Sequence, residues 1–434
     1  MKQWAASLTT DQAAAVLYDW TFWARPEQQT PLGNWSTWLY MGGRGTGKSR
    51  TGAEFIRAGI EHAGNVALVG RTTGDPRDIM IEAKSGLLNI FPPHQRPVYQ
   101  PSRRKITFYN GAVAHTYSAD EPDQLRGPEH ALAWCDELAS WRYGKESWDN
   151  LQLGMRAGYG QPRVIVTTTP RPTTFMRSIL GEPETVLTHG STYLNRFNLP
   201  PAFIAKIRAR YEGTPLARQE LYGEIIEDSP MALWTREVID QYRVIDVPDL
   251  SMIVVAVDPA TTSKETSDDT GIVVVGRQGD AVSGHLFVLD DSTVSAAKPD
   301  QWAREAIAAY NRHQADGIVA EVNQGGEMVI STLNVIDSTV PTHSVNASRG
   351  KRTRAEPIAA LYTQGRVHHL GCFAELEDQL CQWVPGDTES PDRLDALVWA
   401  CTELITIPEI THEEIIVHDA YEENGGTIGA FPGM

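Results

Sequence analysis

The chain has 434 residues, of which 41% are hydrophobic, so it is long enough for two or three domains with buried cores. Its net charge of −17 would disfavour a polyanion partner if the charge were evenly spread. Nucleic-acid binding depends on local basic patches, however, so the net charge does not exclude it. We expect no signal peptide and no membrane span, since the longest strongly apolar run (252–257) is too short to cross a bilayer, and four cysteines without a CxxC pair indicate a reducing cytoplasm.

The first element with clear chemistry is a glycine-rich loop between a predicted strand (37–41) and a predicted helix (49–63). The loop reads GGRGTGKS over residues 42–49 and fits the pattern G-x-x-x-x-G-K-[ST]. Glycines let backbone N–H groups surround a phosphate, the lysine reaches the β and γ oxygens, and the serine hydroxyl binds Mg²⁺. We therefore predict a nucleotide site formed by Gly42, Gly43, Arg44, Gly45, Thr46, Gly47, Lys48 and Ser49.

An acidic pair ends a later apolar run, which predicts a strand over 130–137. Asp136 at such a strand end can hold the Mg²⁺ shell through water, and the adjacent Glu137 can polarise the attacking water for in-line hydrolysis. The N/T-K-x-D segment with which GTPases read guanine does not occur in the sequence. The pattern therefore favours an ATPase.

Two further features of this half can assist hydrolysis. Thr167 to Thr169 end the strand predicted over 163–169, where their hydroxyls can sense the γ-phosphate or simply reflect the β-propensity of threonine. Either Arg44 or Arg126 can neutralise charge in the transition state, in cis or from a neighbouring subunit.

Alternation of strands and helices predicts two α/β domains. The first half also contains a strand over 65–71, a hairpin over 105–117 with a type I′ turn at Asn110-Gly111, and a helix over 200–224. We predict a P-loop ATPase domain of the ASCE type over 1–226, a linker over 227–250, a second α/β domain over 251–408 and a flexible acidic tail over 409–434.

Carboxylates recur at element ends in the second domain. Asp258 ends one predicted strand, Glu321 ends another, and Asp392 and Asp395 lie three residues apart at the start of a predicted helix. Acids in this arrangement can bind two Mg²⁺ ions about 4 Å apart and activate water for phosphodiester cleavage. The order predicts an RNase H-like nuclease, and Asp269 either lines the same cleft or caps a turn.

A basic segment precedes the last of these acids. Arg349, Lys351, Arg352 and Arg354 lie within the run SRGKRTR (348–354). Taken alone, the run is either a solvated loop or a DNA-backbone contact near the nuclease cleft.

Together these features resemble the large terminase subunit of tailed bacteriophages over nearly the whole chain. The resemblance is carried by the phosphate-loop region, LRGPEHALAWCDELASW, VIVTTTPRP, AEVNQGGEMV, RAEPIAALYTQGRVHH and SPDRLDALVWA. It implies a motor that hydrolyses ATP to move double-stranded DNA into a procapsid and that cuts concatemeric DNA with a two-metal nuclease, using Mg²⁺ with Mn²⁺ as an option. It also implies portal and small-subunit partners, a homo-oligomeric ring and the host cytoplasm.

The resemblance assigns roles at matching positions but leaves several choices open. It makes Lys48 and Ser49 phosphate and metal contacts, Asp136 a metal ligand, Glu137 the residue that activates water, and Arg126 a finger acting across subunits. The adenine contact is Gln28 or Gln29, and the third nuclease ligand is Asp392 or Asp395, since Pro391 stands where related enzymes often carry an additional aspartate. The alternatives are an ATP-dependent helicase or repair nuclease, which would need a second motor domain, and a scaffold with an inactive second domain.

Overall fold

The computed structural model describes residues 7–158, 160–211, 218–219, 221–225, 228–259, 269–322, 327–346, 350–385 and 391–406. The chain divides into two compact units. The first comprises residues 1–245 and 370–385, and the second comprises 246–369 and 386–434. The predicted acidic tail over 409–434 lies outside the described residues.

The first unit is built on an eight-stranded sheet with the order β3-β4-β5-β2-β6-β7-β1-β8. Six strands (β5, β2, β6, β7, β1 and β8) pair in parallel, and β3 and β4 add an antiparallel edge. The strands are β1 (Thr37–Gly42), β2 (Asn65–Gly70), β3 (Val98–Gln100), β4 (Lys105–Thr107), β5 (Val113–Ser118), β6 (Leu132–Asp136), β7 (Arg163–Thr168) and β8 (Thr185–Gly190).

The helices of this unit cover both faces of the sheet, which explains why its central strands are continuously apolar. In β1, Trp38 and Tyr40 belong to one buried cluster, whereas Leu39 and Met41 belong to the other. The helices are α1 (Thr10–Tyr18), α2 (Trp20–Trp23), α3 (Lys48–Gly59), α4 (Gly144–Gly154), α5 (Thr174–Leu180), α6 (Pro201–Tyr211) and α7 (Arg236–Gln241), with short helical turns at Pro26–Gln28, Pro76–Ile81, Pro93–Gln95, Pro101–Arg103, Pro122–Leu125, Leu138–Ser140 and Thr192–Asn198.

The hairpin between β4 and β5 forms, but its turn differs from the predicted type I′. A type I′ turn needs a positive φ at both central residues, and here Gly111 (φ 88°) has one while Asn110 does not. The Gly111 N–H donates to the carbonyl of Phe108 at 3.0 Å, so the turn spans 108–111 and its last residue, Gly111, has the left-handed conformation.

The second unit contains a six-stranded sheet with the order β13-β12-β9-β10-β11-β14. Strands β9, β10 and β11 are successive antiparallel neighbours, and β12 joins the other side of β9 in parallel. Its elements are β9 (Met252–Asp258), β10 (Gly271–Gln278), β11 (His285–Asp291), α8 (Pro299–His313), β12 (Gly317–Glu321), α9 (Glu327–Ile336), β13 (Thr342–Val345), α10 (Lys351–Thr363), β14 (Val367–His369) and α12 (Asp392–Thr406); α11 (Ala374–Gln382) belongs to the first unit.

The division into units differs from the predicted domain limits at residues 370–385, which group with the first unit although they follow β14 in sequence. Buried ion pairs explain this grouping. Asp378 accepts hydrogen bonds from Arg171 and from Arg236, the latter at 2.6 Å, and Arg243 pairs with Glu377 at 2.6 Å. These partners tie α11 to the segment after β7 and to α7 and the residues that follow it. Among the described residues, no helix combines the length and the apolar character needed to cross a membrane.

Candidate nucleotide and nuclease sites

The phosphate loop of the first unit follows β1 directly and leads into α3. Gly45 (φ 77°) and Gly47 (φ 88°) adopt the left-handed conformation that favours glycine. Gly42 lies so close to Thr46 that a Cβ there would be 2.6 Å from the Thr46 hydroxyl oxygen. The pattern of glycines is therefore required by the backbone path of the loop.

Side chains outside the motif hold the loop carbonyls. The hydroxyl of Thr192 donates to the carbonyl of Arg44 at 2.7 Å, Asn195 Nδ2 donates to that of Gly45 at 2.6 Å, and Arg25 donates to that of Thr46. Because N–H and C=O point in opposite directions in a planar peptide, these contacts direct the N–H groups of 45 and 47 to the other side of the loop. Sequence analysis missed all three residues, since they lie up to 150 positions away.

Lys48 lies beside the acidic pair. Its ammonium is 3.1 Å from Glu137 Oε1 and donates to the carbonyl of Gly42 and the hydroxyl of Thr169, both at 2.9 Å. The N–H of Thr169 donates to Glu137 Oε2 at 3.0 Å. Burial raises the pKa of Glu137, but the Lys48 charge and the Thr169 hydrogen bond outweigh it, so the net pKa is lowered. The residue that we expected to activate water is thus held as a carboxylate.

Asp136 is buried behind this pair. Its Oδ1 accepts a 2.6 Å hydrogen bond from the Thr167 hydroxyl, which in turn accepts one from the Trp134 indole N–H at 2.7 Å. Burial, followed by the Glu137 charge, raises the pKa of Asp136 to about 7. A cation near Asp136 would offset the burial and charge repulsion that disfavour its ionised form. The environment of Asp136 therefore fits a divalent metal.

The remaining residues predicted for this site have different surroundings. Gln28 is buried, and its Nε2 donates to the Thr51 hydroxyl at 2.9 Å on α3, whereas Gln29 is exposed. Arg126 is exposed and pairs with Asp123 at 3.4 Å, and Arg44 is exposed within the loop. The structure therefore places Gln28, rather than Gln29, against the phosphate-loop helix.

In the second unit, the predicted carboxylates lie at adjacent element ends. Asp258 and Glu321 end β9 and β12, which are parallel neighbours, and Asp392 and Asp395 lie in the first turn of α12. Gly271 pairs with Asp258 across the sheet, and a Cβ at Gly271 would be 2.1 Å from the carbonyl oxygen of Asp392. Only glycine lets the start of α12 approach the sheet this closely, which brings its acids to Asp258.

The electrostatics of these acids show that they share one environment. Burial, followed by the charges of Asp395, Glu321 and Asp392, raises the pKa of Asp258 well above its usual range. Within the described part of the chain, no three His, Cys, Asp or Glu side chains are already spaced as ligands of one metal ion. The carboxylates fit a divalent cation by charge and location, and they would move to coordinate it.

The basic segment divides into two faces because α10 begins at Lys351. Lys351 Nζ is 2.6 Å from Asp395 Oδ2, and Arg354 lies 4.0 Å from Glu321 and stacks 4.4 Å from the Trp399 ring centroid. Arg352 instead points to solvent and pairs with Glu356. Arg349 lies outside the described residues.

Two further hydrogen bonds orient acids of the second unit, one to Glu321 and one to Asp269. The indole N–H of Trp399 donates to Glu321 Oε2 at 2.6 Å and so orients that acid. Asp269 is buried and accepts from Arg393 Nη1 at 2.9 Å, so its charge is already paired. The sequence pointed to Asp269 but not to Trp399. Trp399 lies four residues after Asp395 and seven after Asp392, so helical spacing places all three on one face of α12.

Two family models match successive parts of the chain. The model described as "Terminase large subunit, T4likevirus-type, N-terminal" matches residues 39–241, and "Terminase RNaseH-like domain" matches 255–404. Together they cover most of the sequence. The chain belongs to the large terminase subunit family. The α/β fold with an ATPase domain and an RNase H-like nuclease domain is confirmed, and the protein is an ATPase and a nuclease of the viral DNA-packaging class.

Solved structures of large terminases are similar at low identity. One from a thermophilic bacteriophage has 13% identity and a TM-score of 0.42, covering 91% of this chain and 98% of its own. That of bacteriophage HK97 has 12% identity and a TM-score of 0.37, covering 91% and 95%. The nuclease of the thermophilic phage G20c has 12% identity and a TM-score of 0.29, covering 36% and 84%. No curated protein matches the sequence.

Membership of the family establishes the general class of ligands and partners. A large terminase binds nucleotide and divalent metal and acts on DNA together with packaging partners, and these coarse expectations are confirmed. The helicase or repair-nuclease alternative is not favoured by either match.

Proposed function

We propose that this large terminase hydrolyses ATP with Mg²⁺ at the phosphate loop to drive double-stranded DNA into a procapsid. The observation that supports this best is the contact of Lys48 with both Glu137 and Thr169. It brings the phosphate-binding lysine, the acidic pair and the end of the coupling strand β7 to one edge of the sheet. These are the groups that in-line hydrolysis of a terminal phosphate requires.

The chain's own residues have distinct tasks in this proposal. Lys48 exchanges its protein contacts for phosphate oxygens, and Glu137 orients and polarises the attacking water. Ser49 and Asp136 would hold the metal, which supplies charge neutralisation for the phosphate oxygens. When Lys48 turns to the phosphate, Thr169 loses its hydrogen bond from Lys48 and transmits this conformational change to β7. Gln28 is the residue that we assign to the base, because it packs on α3 beside the loop.

We also propose Asp258, Glu321, Asp392 and Asp395 as the ligand set of the nuclease, with Mg²⁺ or Mn²⁺ as the metal. Metals bound there would supply Lewis-acid stabilisation of the phosphodiester being cut. Trp399 orients Glu321, and Gly271 brings the first turn of α12 to Asp258. Both Asp392 and Asp395 belong to the set, since each contributes to the charge at Asp258.

The partners proposed from the family are the portal protein of the procapsid, a small terminase subunit that selects DNA, and further copies of this chain in a ring in the host cytoplasm. In this ring we assign Arg126 to a neighbour's nucleotide; it is exposed and pairs with Asp123 on the same surface. The outward face of the basic segment, with Arg352, is available for the DNA backbone.

The two activities are tested side by side by measuring phosphate release and plasmid cleavage for wild type, Lys48→Ala, Glu137→Gln and Asp258→Asn. Glu137→Gln should bind ATP but not turn it over. Asp258→Asn should lose at least about a thousandfold in cleavage rate while ATP hydrolysis stays near normal. Lys48→Ala should lose phosphate release but retain metal-dependent nicking of the plasmid.

Each half of the proposal can fail separately. Normal ATP turnover by Glu137→Gln would remove Glu137 from the mechanism. Wild-type plasmid cleavage by Asp258→Asn, in preparations free of contaminating nuclease, would overturn the assignment of the four carboxylates. Asp269→Asn is a matched control, because it also replaces a buried aspartate of the second unit but one that already pairs with Arg393.

A further inference from the structure

Each nuclease carboxylate has a different neighbourhood, and one of them is occupied by a lysine. Asp395 is buried and pairs with the Lys351 ammonium at 2.6 Å. Glu321 accepts from Trp399 Nε1 at 2.6 Å and lies 4.0 Å from Arg354, and the Lys351 charge also acts on Asp258. A lysine thus contacts one member of the proposed ligand set directly.

The position of Lys351 is fixed by its helix. It is the first residue of α10, and Arg354 lies three residues later on the same face, stacked on the Trp399 ring. The Nε and Nη1 atoms of Arg354 are buried and have no hydrogen-bond partner within the described residues. Two cations therefore face the carboxylates, Lys351 in direct contact with Asp395 and Arg354 at 4.0 Å from both Glu321 and Asp395.

We propose that Lys351 is the internal counter-ion of the nuclease carboxylates, holding Asp395 until a divalent cation replaces it there. Lys351 is then a positioning residue that competes with the metal. The idea rests on the proposed metal site, and it explains why the acids converge without being spaced as ligands. One of them is turned toward a lysine.

Competition between Lys351 and the cation predicts opposite effects of removing Lys351 on stability and on cation affinity. A buried carboxylate without its partner is costly, so removing Lys351 should destabilise the metal-free protein. The same substitution removes a positive charge that a divalent cation must displace, so it should make cation binding tighter. A lysine with only a structural role would produce the first effect without the second.

The test compares full-length Lys351→Met with Arg352→Met, which makes the same change in charge one residue away on the exposed face. Ca²⁺, used as a probe of the proposed divalent-cation site, is titrated by calorimetry and by thermal unfolding from EDTA. Lys351→Met should unfold at a lower temperature in EDTA, bind Ca²⁺ at least about tenfold more tightly, and regain stability with Ca²⁺. Arg352→Met should match wild type in all three measurements.

Further variants separate this inference from the metal site itself. Adding Asp258→Asn to Lys351→Met should abolish the tightened binding. If wild type shows no Asp258-dependent Ca²⁺ binding, the proposed metal site falls. If it does, and Lys351→Met binds Ca²⁺ equally or more weakly, only the counter-ion role of Lys351 is overturned.

Discussion

Replacing Gly52 by alanine should destabilise the ATPase unit, although the same change normally stabilises a helix. Gly52 lies in α3, and a Cβ at this position would be 2.2 Å from Cε2 and 2.4 Å from Nε1 of Trp134. Trp134 is completely buried in β6, so its ring cannot move aside into solvent. The contact requires either the ring or the helix to shift.

The magnitude follows from three contributions. Alanine is favoured over glycine in a helix by about 1 kcal/mol. Overpacking costs about 1–3 kcal/mol, and loss of the Trp134 hydrogen bond to buried Thr167 costs about 1–3 kcal/mol more. The expected net loss of unfolding free energy is therefore about 3 kcal/mol. Because Thr167 also holds Asp136, the rate of ATP turnover should fall as well.

Urea denaturation and phosphate release measure both effects. Gly64→Ala is the matched control, since a Cβ there would meet no atom within 4 Å. The double variant Gly52→Ala/Trp134→Phe, with a smaller ring, should recover part of the loss as a favourable coupling energy. If Gly52→Ala is as stable as wild type or more stable, the reasoning from helix–strand contact to metal-ligand position is refuted.

Three other outcomes can be checked. Mixing Arg126→Ala with Glu137→Gln subunits under assembly conditions should restore part of the ATPase activity, and no restoration would favour action of the arginine within one subunit. Asp378→Asn should cost about 3–5 kcal/mol in chemical denaturation, because it removes the charge that pairs with buried Arg171 and Arg236, whereas removing the exposed Asp149 partner of Lys145 should cost little. Burial lowers the pKa of His130 to about 4 from 6.5, so the unfolded chain binds more protons and stability falls as the pH falls from 6.5 towards 4; wild type should lose about 2 kcal/mol more than His130→Gln between pH 7.5 and pH 5.

The sequence predicted what is encoded locally. The phosphate loop, the acidic pair after β6 and the strand ends at Asp258 and Glu321 are short patterns whose spacing reflects one turn or one strand. Local patterns also predicted most of the strands, but not β3, β8, β13 or β14. The prediction of a type I′ turn was wrong because an Asn-Gly pair occurs in more than one type of turn. The loop here has three residues, one more than the two that a type I′ hairpin requires.

What the sequence could not predict depends on contacts across long separations. Asp378 pairs with Arg171 over 207 positions and with Arg236 over 142, and no spacing rule connects such residues. These pairs, together with backbone hydrogen bonds such as Cys372 N–H to the Arg142 carbonyl, group 370–385 with the first unit. In the same way, Arg25 and Asn195 reach the phosphate loop only after β1 and β8 pair in register.

The two proposed sites follow one electrostatic rule, although only one of them has a recognisable motif. Lys48 is the first residue of α3 and Lys351 is the first residue of α10, where the helix dipole disfavours a cation. Each is stabilised by a carboxylate, Glu137 at 3.1 Å in one case and Asp395 at 2.6 Å in the other. In the proposals above, Lys48 exchanges Glu137 for phosphate oxygens, an anion that a helix N-terminus also favours, whereas Lys351 gives up Asp395 to a divalent cation. In both proposals the acid that the lysine releases is the group assigned to the chemistry, Glu137 to polarise water and Asp395 to bind metal.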